Sequence, residues 1–96
     1  MDEKANTPDY LAYDDSGFCS ITLNRPVTLA SGSEANTLRM REPTVDDQIV
    51  SDEMKGSDGI REVTLFANLC EIAPDDIRRL KLKDYKRVQE AYSGFL

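Results

Sequence analysis

Few side chains in this chain have the chemistry needed for catalysis or metal binding. The sequence has no histidine, so the commonest acid–base catalyst and zinc ligand is missing. Its two cysteines, Cys19 and Cys70, do not have the spacing of a metal site. Cys70 falls on the apolar side of a predicted helix, which favours a buried thiol over a nucleophile with a neighbouring base. We therefore expect no enzyme, and catalysis by Cys70 is only a minor alternative.

Two acidic pairs and one glycine-rich segment are the other candidates for chemistry. Asp46–Asp47 and Asp75–Asp76 resemble carboxylate dyads or calcium ligands, but each pair opens a predicted helix. Acidic side chains at the start of a helix accept its free N–H groups and interact favourably with the helix dipole. The spacing of these pairs fits no EF-hand loop. The segment Gly56-Ser57-Asp58-Gly59 lacks the Gly-Lys-Ser/Thr ending of a phosphate-binding loop. We expect neither a metal nor a cofactor.

Composition limits the partners that the chain can have. Its 96 residues suit one small domain, and a net charge of -6 is unsuited to nucleic acid, whose phosphates attract Lys and Arg. No apolar run approaches the ~20 residues that span a bilayer, and the polar start lacks the apolar core of a signal peptide. We therefore expect a cytoplasmic protein without nucleic-acid or membrane partners. In that compartment both thiols stay reduced, and a disulfide between them is the minor option.

The chain divides into an arm and one domain. Residues 1–17 carry five acidic residues and one lysine, a composition typical of a flexible acidic arm. Tyr10, Leu11 and Tyr13 leave open that this segment docks on the body or on a partner. Residues 18–96 are predicted to form a single α+β domain, with strands over about 18–43 and helices over about 44–96.

Hydrophobic periodicity predicts the fold class. Apolar residues alternate with polar ones around Ile21–Leu23 and Leu38–Met40, which is the period of strands, and the segment 24–26 interrupts the first run. Thr44 then caps a helix with a narrow apolar stripe that includes Val45, Ile49 and Val50. Further helices are predicted over about 59–72, after Pro74, and over about 83–93. The prediction is a small N-terminal antiparallel β-hairpin or three-stranded meander packed on a C-terminal bundle of three to four helices.

The central predicted helix, 59–72, is apolar over most of its circumference and so must be covered on two sides. One side packs against the strands, and the other could meet a partner protein. The last helix contributes further apolar side chains. The partner-binding candidates are Leu65, Leu69, Ile72, Tyr85, Tyr92 and Phe95, and burial in the core is the alternative for most of them.

Four segments in this order carry a family resemblance: Ile21–Val27, Thr37–Asp47, Phe66–Ile77 and Leu80–Ala91. Together they resemble the tail assembly chaperones of Mu-like and related contractile-tail phages and prophages. The resemblance implies a non-enzymatic protein that binds the tape measure protein and helps recruit tail tube subunits. It also implies synthesis in the host bacterial cytoplasm, absence from the mature virion and, in many members, a longer frameshifted product.

A second class of function stays open beside the chaperone. The chain could be a small acidic adaptor or inhibitor, a charge mimic that binds a basic site of a host protein through residues 1–17. A homo-oligomer is also open. The resemblance supplies no partner-binding positions, so the candidate residues rest on the helical wheel alone.

Overall fold

The structure is a computed structural model that describes residues 7–96. Three strands, β1 (Leu11–Tyr13), β2 (Phe18–Thr28) and β3 (Glu34–Arg41), precede four helices, α1 (Val45–Glu53), α2 (Asp58–Cys70), α3 (Pro74–Arg78) and α4 (Leu82–Ser93). The predicted α+β fold, with an N-terminal antiparallel sheet followed by three to four helices, is confirmed. None of the helices described is long and apolar enough to cross a membrane.

The sheet is an antiparallel meander with strand order β1-β2-β3. Leu11, Ile21 and Leu38 are paired across the three strands and are all buried, so they form one apolar row on the inner face. The predicted interruption at 24–26 is not a turn: β2 continues through it, and the register with β3 shifts between Thr22 and Val27. Pro26, which has no N–H to donate, lies in this unpaired part.

Strand β1 lies inside the segment that the sequence assigned to a flexible arm. Leu11 is buried in the core, and the Tyr13 hydroxyl donates to the carbonyl of Ala91 at 2.9 Å. The Tyr13 ring also meets Phe95 edge-on, with 5.1 Å between centroids. These contacts correspond to docking on the body, the alternative that the sequence left open, and the sheet begins at Leu11 rather than near Phe18. Residues 1–6 of the predicted arm lie outside the described residues.

The core lies between the inner face of the sheet and helices α2 and α4. Phe66 of α2 is buried between the rings of Tyr85 and Tyr92 of α4, with centroid distances of 5.9 and 5.4 Å. Burying a side chain of this size contributes about 3 kcal/mol. Ser57 begins α2 by accepting the Ile60 N–H at 3.2 Å, and Glu71 ends it in the left-handed region with φ 56.

Two buried carboxylates fasten β2 and the loop after it to the helices. Asp84 of α4 accepts the N–H groups of Asn24 at 2.7 Å and Arg25 at 3.1 Å, in the stretch where β2 and β3 change register. Asp76 of α3 accepts the Ala30 N–H at 2.8 Å. Asp76 also caps its own helix, as the sequence predicted, so its long-range bond adds to that role.

Candidate protein-binding surface

The two central candidates of the helical wheel, Leu65 and Leu69, belong to the core. Their side chains are 8% and 0% exposed, so the second side of α2 is sealed by the chain itself. Neither leucine offers a free face to a partner in this structure, and partner binding through them stays a prediction. Core packing, the alternative that the sequence left open, describes their position: β3, α3 and α1 pack against α2, and two rings of α4 meet Phe66.

The other four candidates are partly buried. Ile72, Tyr85, Tyr92 and Phe95 all pack against the core. The Tyr85 hydroxyl donates a hydrogen bond to the Glu62 carboxylate. Burial raises the pKa of Tyr85 most, and this hydrogen bond raises it further. The four side chains therefore stabilise the fold, and part of each stays exposed to solvent.

Helix α1 is attached to the body by polar contacts at its beginning. The Arg41 guanidinium donates to both carboxylate oxygens of Asp47, at 2.7 and 2.8 Å, and this pairing holds the pKa of Asp47 well below its ordinary range. The Asp47 carboxylate also accepts the Thr44 N–H, while the Thr44 hydroxyl accepts the Asp47 N–H, which completes a capping box. These bonds determine which side of α1 faces the body.

As a result, α1 turns its apolar residues outward. Ser51 is the buried residue of this helix, whereas Val45, Ile49 and Val50 are 79%, 48% and 43% exposed. At about 100° per residue, Val45 and Ile49 lie on the side roughly opposite Ser51. The apolar stripe predicted for α1 exists, but it faces solvent rather than the core. We call Val45, Ile49 and Val50 the α1 outer face.

The surroundings of the α1 outer face are acidic. Helix α1 contains four carboxylates and no basic residue, and Asp46, Asp52 and Glu53 are exposed. Ile60, at the start of α2, adds another exposed aliphatic side chain on the helix against which α1 packs. An exposed aliphatic surface with acidic neighbours is suited to binding an apolar segment flanked by Lys or Arg.

Both cysteine thiols are buried. Burial raises the pKa of the Cys70 thiol to about 12, so this thiol is protonated at neutral pH and is a poor nucleophile. Burial also raises the pKa of Cys19, and both thiols are free. Within residues 7–96 no three His, Cys, Asp or Glu side chains come together as metal ligands.

Comparison with known proteins identifies the family. A family model described as "Phage tail assembly chaperone proteins, E, or 41 or 14" matches residues 20–96, from β2 through the last helix. No curated protein and no solved structure gives a significant match. Membership implies that the chain binds phage tail proteins, in a family that is generally non-enzymatic. Since the match covers most of the chain, the chain belongs to the phage tail assembly chaperone family.

Proposed function

We propose that this protein is a non-enzymatic tail assembly chaperone of the Mu-like kind that binds the tape measure protein and helps recruit tail tube subunits. It acts in the host bacterial cytoplasm and is absent from the mature virion. The family match supports the general role. The specific partners follow from the resemblance of the four sequence segments described above.

The observation that carries the proposal is the α1 outer face. Val45 and Ile49 occupy positions i and i+4 of one helix and are exposed, although a helix of a small domain ordinarily buries such residues. A tape measure protein is expected to be long and largely helical with apolar stripes. A helix of that kind can pack its stripe along α1, in the manner of a helix in a shallow groove.

The acidic residues around this face favour a partner with basic flanks. Asp46, Asp52 and Glu53 would attract Lys or Arg of the approaching helix and speed its association. We therefore expect the tape measure segment that binds to α1 to carry an aliphatic stripe with basic residues beside it, and complex formation to weaken as salt concentration rises.

Co-expression with a tape measure fragment tests the proposal. The double variant Val45→Glu, Ile49→Glu should lose the complex, while Leu82→Glu, which changes a 77% exposed leucine on α4, should keep it. Both variants should retain the circular dichroism spectrum of the parent chain, because every changed side chain is substantially exposed. Equal complex formation by the double variant and the parent would contradict the assignment of α1.

A truncated chain separates this proposal from the charge mimic. Deleting residues 1–6 removes Asp2 and Glu3 without touching β1. The truncated chaperone should still bind the tape measure fragment with unchanged affinity. Loss of the complex on truncation would contradict binding through α1 alone and would favour binding through the acidic N-terminal segment, as in the charge-mimic alternative.

A further inference from the structure

A second surface, distinct from the α1 outer face, lies where β1 approaches the end of α4. A groove of about 1160 Å³ lies beside β1 and the last turns of α4, next to the contact of Tyr13 with Ala91 and Phe95. Leu11, Tyr13, Phe95 and Leu96 contribute its apolar lining. Among the strands of residues 7–96, β1 is at the edge of the sheet, so the groove combines this edge with the end of α4.

The outer edge of β1 has backbone groups that the sheet does not use. The Thr22 N–H donates to the Tyr10 carbonyl at 2.8 Å, and the Asp14 N–H donates to the Phe18 carbonyl at 2.9 Å. Because backbone groups of an antiparallel strand alternate between its two edges, those of Leu11 and Tyr13 point away from β2. The Leu11 N–H bonds the Pro8 carbonyl at 3.1 Å. Within residues 7–96, the Leu11 carbonyl and both polar groups of the Tyr13 backbone remain available.

The rim of the groove is acidic. Asp14, Asp15, Glu42 and Glu90 line it, and among residues 7–96 Lys86 is its one basic lining residue. Among the described residues, the carboxylates of Asp15 and Glu42 have no ion-pair partner. A segment that enters this groove is therefore favoured by basic side chains and disfavoured by acidic ones.

We infer that an extended segment of a partner protein, with alternating apolar and basic side chains, binds in this groove as a fourth strand beside β1. Its backbone pairs with the Leu11 carbonyl and with the N–H and carbonyl of Tyr13. Its apolar side chains face Phe95 and Leu96, and the basic residues at its ends approach Asp15 and Glu42, which line the same groove. A helix cannot make this contact, because its own backbone groups are already paired. The inference goes beyond the proposed function, which uses a helical partner on another surface.

A peptide titration followed by ¹⁵N NMR tests this inference on the full chain. The probe is the heptapeptide Lys-Val-Lys-Val-Lys-Val-Lys, and its two controls replace every Lys by Glu or the central Val by Pro. We expect saturable shifts centred on the amides of Leu11–Asp15 with the probe, slower hydrogen exchange at the Tyr13 N–H, and much weaker effects with either control. Absence of saturable shifts, or equal shifts with all three peptides, would overturn the inference.

Variants of the rim and of α1 show whether the two surfaces are independent. The double variant Asp15→Asn, Glu42→Gln should weaken probe binding about threefold to tenfold, since each exposed charge pair contributes little. Val45→Glu, Ile49→Glu should leave probe binding unchanged, so failure of one proposal does not imply failure of the other. A dimer that forms without peptide through the same amides would assign the groove to a second copy and overturn the inference.

Discussion

Replacing Asp84 by Ala should be one of the most damaging single substitutions in this protein. The Asp84 carboxylate is buried and accepts the N–H groups of Asn24 and Arg25, at 2.7 and 3.1 Å. No β3 residue is paired with this part of β2, because the register shifts there. Alanine would leave both donors without their acceptor and would remove the carboxylate that pairs with Arg87, whose Nε lies 3.9 Å away.

The size of the effect follows from these contacts. A hydrogen bond to a charged group contributes about 1.5 to 3 kcal/mol, and water reaching the exposed side of β2 would restore part of the loss. We therefore expect Asp84→Ala to lower the free energy of unfolding by about 3 to 5 kcal/mol. Small domains have only about 5 to 15 kcal/mol in total, so much of the stability would be lost. Asp84→Asn keeps one acceptor oxygen and should lose about half as much.

Urea denaturation followed by circular dichroism measures this loss. The matched control is Asp75→Ala, which removes an exposed first-turn carboxylate for which no hydrogen bond or ion pair is seen within residues 7–96. It should cost less than about 1 kcal/mol. Amide exchange of Asn24 and Arg25 should also accelerate in Asp84→Ala ahead of the rest of β2. If Asp84→Ala and Asp75→Ala unfold at the same urea concentration, the carboxylate does not fasten the strand to the helix.

Three further predictions test other contacts. Because Arg41 lowers the pKa of Asp47, the ion pair stabilises the fold at neutral pH and this contribution is lost as pH falls below about 4. Asp47→Asn should lower the free energy of unfolding by about 1 to 2 kcal/mol at pH 7, and its urea midpoint should fall less steeply in acid than that of the parent chain. Urea midpoints that fall in parallel with pH in both proteins would argue against the pair. Gly94→Ala should lower the melting temperature, since a Cβ there would overlap the Tyr13 hydroxyl. Gly59→Ala should raise the melting temperature, because its Cβ would lie 3.8 Å from the nearest atom, Ser57 Oγ, and alanine favours the helix. Equal shifts of the melting temperature in the two variants would contradict this packing. Cys70, with its pKa raised to about 12 by burial, should react with Ellman's reagent only after unfolding in urea, and prompt reaction of the native thiol would refute its burial.

The periodicity of the sequence was sufficient to predict the sheet and the central helix. Ile21, Leu38 and Met40 alternate with polar residues and are buried as expected. The apolar circumference of α2 also predicted correctly that two sides need cover. The sequence pattern could not show that other parts of the same chain cover both sides of α2, because the packing of α4 against Phe66 is a tertiary contact.

The orientation of α1 could not be predicted from its apolar stripe. The bidentate contact between Arg41 and Asp47, together with the Thr44 cap, turns Ser51 inward and leaves Val45 and Ile49 exposed. Helix α1 has nine residues and few of them are apolar, so burying its apolar side would gain little free energy compared with these polar contacts. Polar anchoring therefore prevails over hydrophobic burial in this helix, and the surface proposed for binding results from it.

The role of Asp84 did have a signal in the sequence. Asp84, Val88, Ala91 and Phe95 follow the i, i+4, i+7, i+11 spacing of one helical face, so an acid begins an otherwise apolar stripe. Such an acid must find donors when it is buried. Its partners, the N–H groups of Asn24 and Arg25, lie about sixty positions earlier and become available only through the register shift of β2. Sequence spacing alone does not indicate that pairing.

Site-specific photo-crosslinking tests the central claim most directly. A benzoylphenylalanine introduced at Ile49 on the α1 outer face, or at Leu82 on α4 as the matched exposed position, is irradiated in the complex with a tape measure fragment. The proposed function predicts a crosslink to the fragment from position 49 and none from position 82. Crosslinking from position 82 without any from position 49 would contradict binding through α1.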